Sequence, residues 1–191
     1  TISRPEQIRL LHLGDSCECL NEPDINGPEP AEYRMLIADC AAVAHEIGAR
    51  LYGPAPSGVH KRGLDYLKAV WPAFPPTVHG CSIHWYSKPG GVWSDAEGER
   101  IIASVRAIIG PDTPLMVSEC GWHTAPEQVS WFGSLANPLP HMVQRTDEEA
   151  LDNIRREGAF WDAHGVPWIL YQLNDGPDPA NDQHRYGIRR L

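Results

Sequence analysis

The chain has 191 residues, of which 42% are hydrophobic, and it carries a formal net charge of −9. This length suits one domain with its own core, and this composition excludes wholesale disorder. The acidic balance, with no block of Lys or Arg, makes nucleic acid and anionic membrane surfaces poor candidate partners. No apolar run approaches the roughly 20 residues that a membrane helix needs. The first residues, TISRPEQIRLL, do not read as a signal peptide, and the compartment stays unknown.

Short apolar runs alternate with amphipathic stretches along the chain. The apolar runs predict five strands. The first two run into loops within SCECLNEPD (16–24) and ARLYGPAP (49–56), and the others read VHGCSIHWYS (78–87), PLMVSECGW (114–122) and VPWILYQLND (166–175). The stretches between them predict helices over 28–48, 63–74, 94–110 and 146–165. Residues 123–145 read as a long loop, and residues 176–191 show no helix pattern. This alternation predicts parallel βαβ units, in either an open doubly wound sheet or a (β/α) barrel.

Polar side chains fall at the carboxyl ends of the predicted strands, where parallel folds place their active sites. These side chains are Asn21, Glu22, His84, Tyr86, Glu119, Gln172 and Asn174. The first strand is followed by neither a GxGxxG nor a GxxxxGK[ST] loop, so a nucleotide-binding sheet loses support. Polar groups that converge from several successive strands favour the barrel.

The two-residue period of a strand predicts which side chains face the site. It places Leu115, Val117 and Glu119 on one face of their strand, and His84 and Tyr86 together on the preceding strand. We therefore expect Glu119 and Tyr86 at the same rim, with the Tyr hydroxyl holding the carboxylate by a hydrogen bond.

Two strand-end glutamates suit glycoside hydrolysis. That reaction needs one carboxylic acid to protonate the leaving oxygen, and a second carboxylate to attack the anomeric carbon or to activate water. Glu22 and Glu119 are the candidates for these roles.

The segments LNEPD, SIHWYS and MVSECGW, in this order, resemble strands 4, 6 and 7 of clan A glycoside hydrolases, which are retaining enzymes on a TIM barrel. The resemblance implies that Glu22 is the acid/base and Glu119 the nucleophile. It implies that Asn21 contacts the sugar 2-hydroxyl, and that His84 and Tyr86 line the site.

The resemblance extends over most of the chain. LYGPAP looks like strand 5 of family-39-like members, residues 145–175 are similar to the last helix and strand 8, and YGIRRL resembles the segment that follows. It implies an α/β fold in which residues 1–191 form a single partial (β/α)8 domain of family 39 or family 5 type, supplying about strands 4 to 8. The expected substrate is a β-linked glycan, with Trp122 as the preferred stacking platform and Gln172 and Asn174 as further substrate-binding residues.

Strands 1 to 3 have no counterpart here, and neither has the strand-2 Arg that normally supports the nucleophile in this clan. A complete barrel usually needs about 250 residues, and an open half-barrel exposes a sheet edge and an interior face. We expect another chain or a missing segment to supply the missing strands. Pairing of two half-barrels would also complete the barrel.

Each candidate also has a structural interpretation. Glu22 reads equally as a loop acid before a helix, Glu119 as the partner of an Arg, and His84 as a structural histidine. Tryptophans usually pack, which applies to Trp85, Trp93, Trp122 and Trp131, and Asp175 can simply start a turn.

The five cysteines are odd in number and widely spaced, so they predict small buried side chains rather than a disulfide framework. Several lie near strand ends with His84 and His123, which would permit a zinc site, but no spacing matches a standard zinc signature. The sequence therefore predicts no metal and no cofactor. Two alternatives to a glycosidase stay open, a non-catalytic glycan-binding or assembly module and a metal hydrolase.

Overall fold

The computed structural model describes residues 5–86, 91–122, 127–129, 141–143 and 146–171. Five parallel strands form one sheet in the order β1 (Ser16–Glu18), β2 (Arg50–Pro54), β3 (Gly80–Tyr86), β4 (Leu115–Gly121) and β7 (Trp168–Leu170). The helices are α1 (Pro5–Ile8), α2 (Pro23–Asn26), α3 (Pro30–Ile47), α4 (Lys61–Val70), α5 (Asp95–Ile109) and α6 (Asp147–Ala163), with a 3₁₀ turn at Trp71–Ala73. The α/β prediction and the five parallel strands are confirmed, and the sheet curls into a half-barrel.

The helix boundaries follow from capping. Thr146 and Glu149 form both halves of a capping box at the start of α6, as predicted. The Ser94 side chain caps α5 by accepting a hydrogen bond from the amide of Glu97. Gly48 ends α3 with a φ of 70°, a left-handed conformation that glycine adopts without steric cost.

Four short elements were not predicted from the sequence. The short helices α1 and α2 had no sequence signal, and strands β5 (Glu127–Val129) and β6 (His141–Val143) form an antiparallel pair inside the predicted loop. β1 ends at Glu18, and Leu20 then turns the backbone into the left-handed region with a φ of 67°, which agrees with the predicted strand that runs into a loop.

Two apolar cores cover the same face of the sheet. One joins β1 and β2 to α3 and includes Cys17, Leu51 and Ile37. The larger core joins β3, β4 and β7 to α5 and α6. The opposite face of the strands is the interior face of the half-barrel, and its side chains are available for chemistry.

A β-bulge in β4 decides which way the predicted nucleophile points. Val117 pairs with Ile83, but Glu119 pairs with His84, so Ser118 is an extra residue on β4. Because Ile83 and His84 point to opposite faces of β3, Val117 faces the helices and Glu119 faces the barrel interior. The prediction that Leu115 and Val117 share a face with Glu119 is therefore wrong, because the bulge shifts the two-residue period.

Among the described residues, no helix combines the length and the apolar composition that crossing a membrane requires.

Candidate active site

The backbone of Glu22 is held in an uncommon conformation where β1 meets α2. Its φ is 48° and its ψ is 56°, in the left-handed region, and Pro23 begins α2 directly after it. The amide of Glu22 donates to the carbonyl of Ala55 at 3.2 Å, which ties this turn to the loop after β2. The Glu22 side chain remains 23% exposed. This turn therefore places the partly exposed carboxylate of Glu22 at the carboxyl end of the sheet.

Glu22 meets residues of two other strands in one cluster. The Nδ1 atom of His84 lies 3.2 Å from Oε1 of Glu22 and 3.5 Å from Oε2 of Glu119. The hydroxyl of Tyr86 donates to Oε2 of Glu119 at 2.6 Å. A carboxylate oxygen of Glu22, one of Glu119 and a ring nitrogen of His84 all lie within 4.8 Å of one another. Two carboxylates thus share one small volume, with an imidazole bridging them.

The surroundings of His84 favour its charged form. Burial lowers the pKa of this fully buried side chain. The hydrogen bond to Glu22 and the negative charge of Glu119 act in the opposite direction, with a further contribution from Glu18. Together they outweigh burial and hold the pKa of His84 above its usual value. A positive imidazolium between the carboxylates reduces their mutual repulsion.

A buried carboxylate on the other face of β4 was not predicted. Glu157 of α6 accepts hydrogen bonds from the indole nitrogens of Trp122 and Trp161. Burial raises its pKa to about 7, although these indoles and the thiol of Cys120 act to lower it. Because Cys120 and Trp122 flank the end of β4 after Glu119, Glu157 anchors the strand that carries the candidate nucleophile.

The tryptophans considered as sugar platforms are buried. Trp85, Trp93 and Trp122 are 8%, 2% and 3% exposed. They line a cavity of about 210 Å³ together with Val92 and Glu97 among others. The ring of Trp122 packs towards α6 and leaves almost no face open, so stacking on a sugar has no support in this geometry. Trp131 lies outside the described residues.

The structure brings together four of the predicted site residues, Glu22, His84, Tyr86 and Glu119. Asn21 is exposed beside Glu22. Gln172, Asn174 and Asp175 lie outside the described residues, and so does His123 of the zinc alternative.

In the described part of the chain, the cysteines do not form a group with metal-ligand geometry. The five cysteines are free and buried. Cys19 and Cys40 are in contact, with 3.4 Å between their sulfur atoms. The group with metal-ligand geometry is instead Glu22, His84 and Glu119. These are the residues that the glycosidase interpretation uses. Nδ1 of His84 is hydrogen-bonded to Glu22, and Tyr86 donates a hydrogen bond to Glu119.

Comparison with known proteins found similar folds. No protein-family model and no curated protein matches the chain. A GH128 (subgroup VI) exo-β-1,3-glucanase from Aureobasidium namibiae superimposes with a TM-score of 0.67 at 17% identity, over 94% of this chain and 64% of that one. An active-site mutant of Rhizomucor miehei β-1,3-glucanosyltransferase in complex with laminaritriose superimposes with a TM-score of 0.68 at 11% identity. The match covers 99% of this chain and 69% of that one.

A GH128 (subgroup I) endo-β-1,3-glucanase from Amycolatopsis mediterranei, in complex with laminaritriose, gives a TM-score of 0.60 at 17% identity, over 90% of this chain and 70% of that one. The chain spans 64% of the length of the Aureobasidium enzyme. The resemblance to family 39 or family 5 stays a prediction. What the comparisons show is the fold: this chain has the α/β half-barrel architecture found within solved glycoside hydrolases that act on, or transfer, β-1,3-glucan.

Proposed function

We propose that this chain carries the catalytic pair of a retaining glycoside hydrolase that acts on β-linked glucan. The observation that carries the proposal is the approach of Glu22 and Glu119, with an oxygen of each within 4.8 Å on the interior face of the half-barrel. Retaining enzymes hold their two carboxyl groups about 5–5.5 Å apart, whereas inverting enzymes leave room for a water molecule.

The two roles are taken from the sequence resemblance, and the contacts of the cluster support them. Glu119 attacks the anomeric carbon, and the Tyr86 hydroxyl holds its carboxylate in one orientation. Glu22, in its protonated form, donates to the leaving oxygen and then acts as base towards the incoming water. His84 contacts both carboxylates and offsets their charge as the proton leaves and returns. Asn21, Gln172 and Asn174 are proposed to contact the sugar.

The substrate class is proposed from the fold neighbours, which are β-1,3-glucanases and a β-1,3-glucanosyltransferase. We further propose that residues 1–191 are one partial barrel domain equivalent to strands 4 to 8. Another chain or a further segment would supply the remaining strands, and these would contribute part of the sugar-binding surface.

Azide trapping tests both roles. With an activated aryl β-glucoside, we expect Glu119→Gly plus azide to yield the α-glucosyl azide and Glu22→Ala plus azide to yield the β-glucosyl azide. Without azide, Glu119→Gln should retain less than about one thousandth of the wild-type rate on β-1,3-glucan oligosaccharides. Glu32→Gln is the control, because Glu32 is exposed on α3. Wild-type turnover by Glu119→Gln would refute the nucleophile assignment.

A non-catalytic glycan-binding or assembly module is the alternative to this proposal. In that case the chain would bind β-1,3-glucan oligosaccharides without hydrolysing them. Substitution of Glu22 or Glu119 would then leave the measured hydrolysis rate unchanged.

A further inference from the structure

A buried carboxylate lies two residues after Glu22 and takes no part in the proposed chemistry. Asp24 is 7% exposed. Its Oδ1 accepts the amide of Ser57 at 2.8 Å, and its Oδ2 accepts the Ser57 hydroxyl at 2.7 Å. A buried charge is expensive unless it is fully hydrogen-bonded, so this double contact is a specific attachment between the turn after β1 and the loop after β2.

A histidine extends this attachment and fixes its direction. The Nδ1 atom of His60 accepts the amide of Gly63 at 3.3 Å and thereby caps α4. In a neutral ring, Nε2 then carries the proton, and it lies 3.4 Å from the Ser57 hydroxyl. Proton donation therefore runs from His60 to Ser57 to Asp24. His60 is thus oriented as a donor and not as a base towards Ser57, and the three side chains form a structural chain of hydrogen bonds.

The loop to which Asp24 is hydrogen-bonded also forms hydrogen bonds with Glu22 and His84. The amide of Glu22 donates to the carbonyl of Ala55, and the amide of His84 donates to the carbonyl of Pro56, each at 3.2 Å. Three consecutive residues, 55 to 57, thus bind Glu22, His84 and Asp24. Glu22 and Ala55 both have a left-handed backbone, with φ values of 48° and 50°. Such conformations persist in non-glycine residues only where the surrounding contacts enforce them.

We propose that Asp24 and Ser57 are positioning residues that hold Glu22 in place for proton transfer to the leaving group. This inference rests on the proposed function. A general acid must lie within hydrogen-bond reach of the oxygen it protonates, and a small displacement costs a large part of its contribution. Loss of the Asp24 attachment releases the strained turn at Glu22, while Glu119 and its Tyr86 contact remain intact.

The leaving group provides the test. A sugar or phenol leaving group needs a proton from Glu22, whereas 2,4-dinitrophenolate leaves without one. We expect Asp24→Ala to lower kcat/KM on phenyl β-glucoside by about 10- to 100-fold and on 2,4-dinitrophenyl β-glucoside by less than about threefold. Ser57→Ala keeps the backbone amide contact of residue 57 with Asp24. This variant should also lose more kcat/KM on phenyl β-glucoside than on 2,4-dinitrophenyl β-glucoside, but the loss should be smaller than in Asp24→Ala. Asp112→Ala is the matched control, because Asp112 is an exposed loop carboxylate.

Amide hydrogen exchange gives a readout that does not depend on turnover. In Asp24→Ala we expect exchange of residues 20–27 to accelerate at least about tenfold, with β4 and α6 unchanged. Equal loss on both aryl glucosides, or unchanged exchange of residues 20–27, would overturn the inference. Acceleration across all elements would also overturn it, since that indicates a general loss of stability. An inactive wild type would count against the proposed function instead, because the exchange result would still stand.

Discussion

Glu157 shows how one buried side chain can link the stability of this protein to pH. Its carboxyl group is 1% exposed and accepts two indole N–H groups from opposite sides of the contact between β4 and α6. Removal from water disfavours the charged form more than these donors favour it, and the pKa rises to about 7. The folded protein therefore retains this proton at pH values where the unfolded chain has already lost it.

This difference predicts a stability change of defined sign. The folded-state pKa is raised, so the folded protein binds more protons between about pH 4.5 and 7, and its stability falls as pH rises through that window. The loss amounts to roughly 3 kcal/mol. In Glu157→Gln this loss should be absent from the free energy of unfolding, measured by urea denaturation from pH 4 to pH 8.

The wild-type curve also contains the contribution of His84. Its raised pKa stabilises the fold at low pH, and that stabilisation too disappears as pH rises through the folded-state pKa. The quantity to compare is therefore the difference in the free energy of unfolding between wild type and Glu157→Gln. The contribution of His84 is the same in both proteins and cancels in this difference. Parallel curves would show that Glu157 does not titrate in this range.

The sequence could identify some residues and not others, for physical reasons. Glu22 and Glu119 follow apolar strands in a parallel pattern, and parallel strands converge at their carboxyl ends, so their meeting was predictable. Asp24 in α2 and Ser57 in the loop after β2 lie 33 positions apart, and no local pattern pairs them. Glu157 did leave a signal, because it lies four residues before Trp161 on the buried stripe of α6.

At the scale of elements, the bulge in β4 is what sequence periodicity could not supply. Strict alternation would turn Glu119 towards the helices with Val117, yet the extra residue Ser118 turns it to the interior. Bulges often re-aim a side chain next to an active site. Strands and helices were predictable from capping and hydrophobic period, whereas an inserted residue becomes visible only through its partner strand.

The contact between α5 and α6 packs against β3 and β4, the strands that carry His84 and Glu119, and it has little spare room. A methyl group on Gly98 of α5 would overlap the ring of Phe160 of α6. Gly98→Ala gains about 1 kcal/mol of helix propensity, but overpacking costs about 1–3 kcal/mol. We expect a net destabilisation in urea unfolding, and Phe160→Leu should relieve it in the double variant. Additive effects, or a stabilised Gly98→Ala, would contradict this packing.

For the molecule as a whole, the five parallel strands of the described residues form an open sheet and not a closed barrel. Within the described residues, β1 pairs with β2 alone and β7 with β4 alone. Trp168 and Leu170 pack against the larger core, so Ile169 between them points to the interior face, where it is 54% exposed. The number and order of the five parallel strands were predictable from the sequence, but what covers this face was not, because a strand pattern does not specify the partner of an open sheet edge.

An open parallel edge with an exposed apolar side chain favours association with another strand. We therefore expect the isolated 191-residue chain to self-associate, with a light-scattering mass above that of one chain at tens of micromolar. Ile169→Lys should lower that mass, because a charged side chain at this edge opposes pairing. Met35→Lys should leave it unchanged, since Met35 is 65% exposed on α3, away from the sheet edge. A single-chain mass for all three proteins would mean that the chain covers its own interior face.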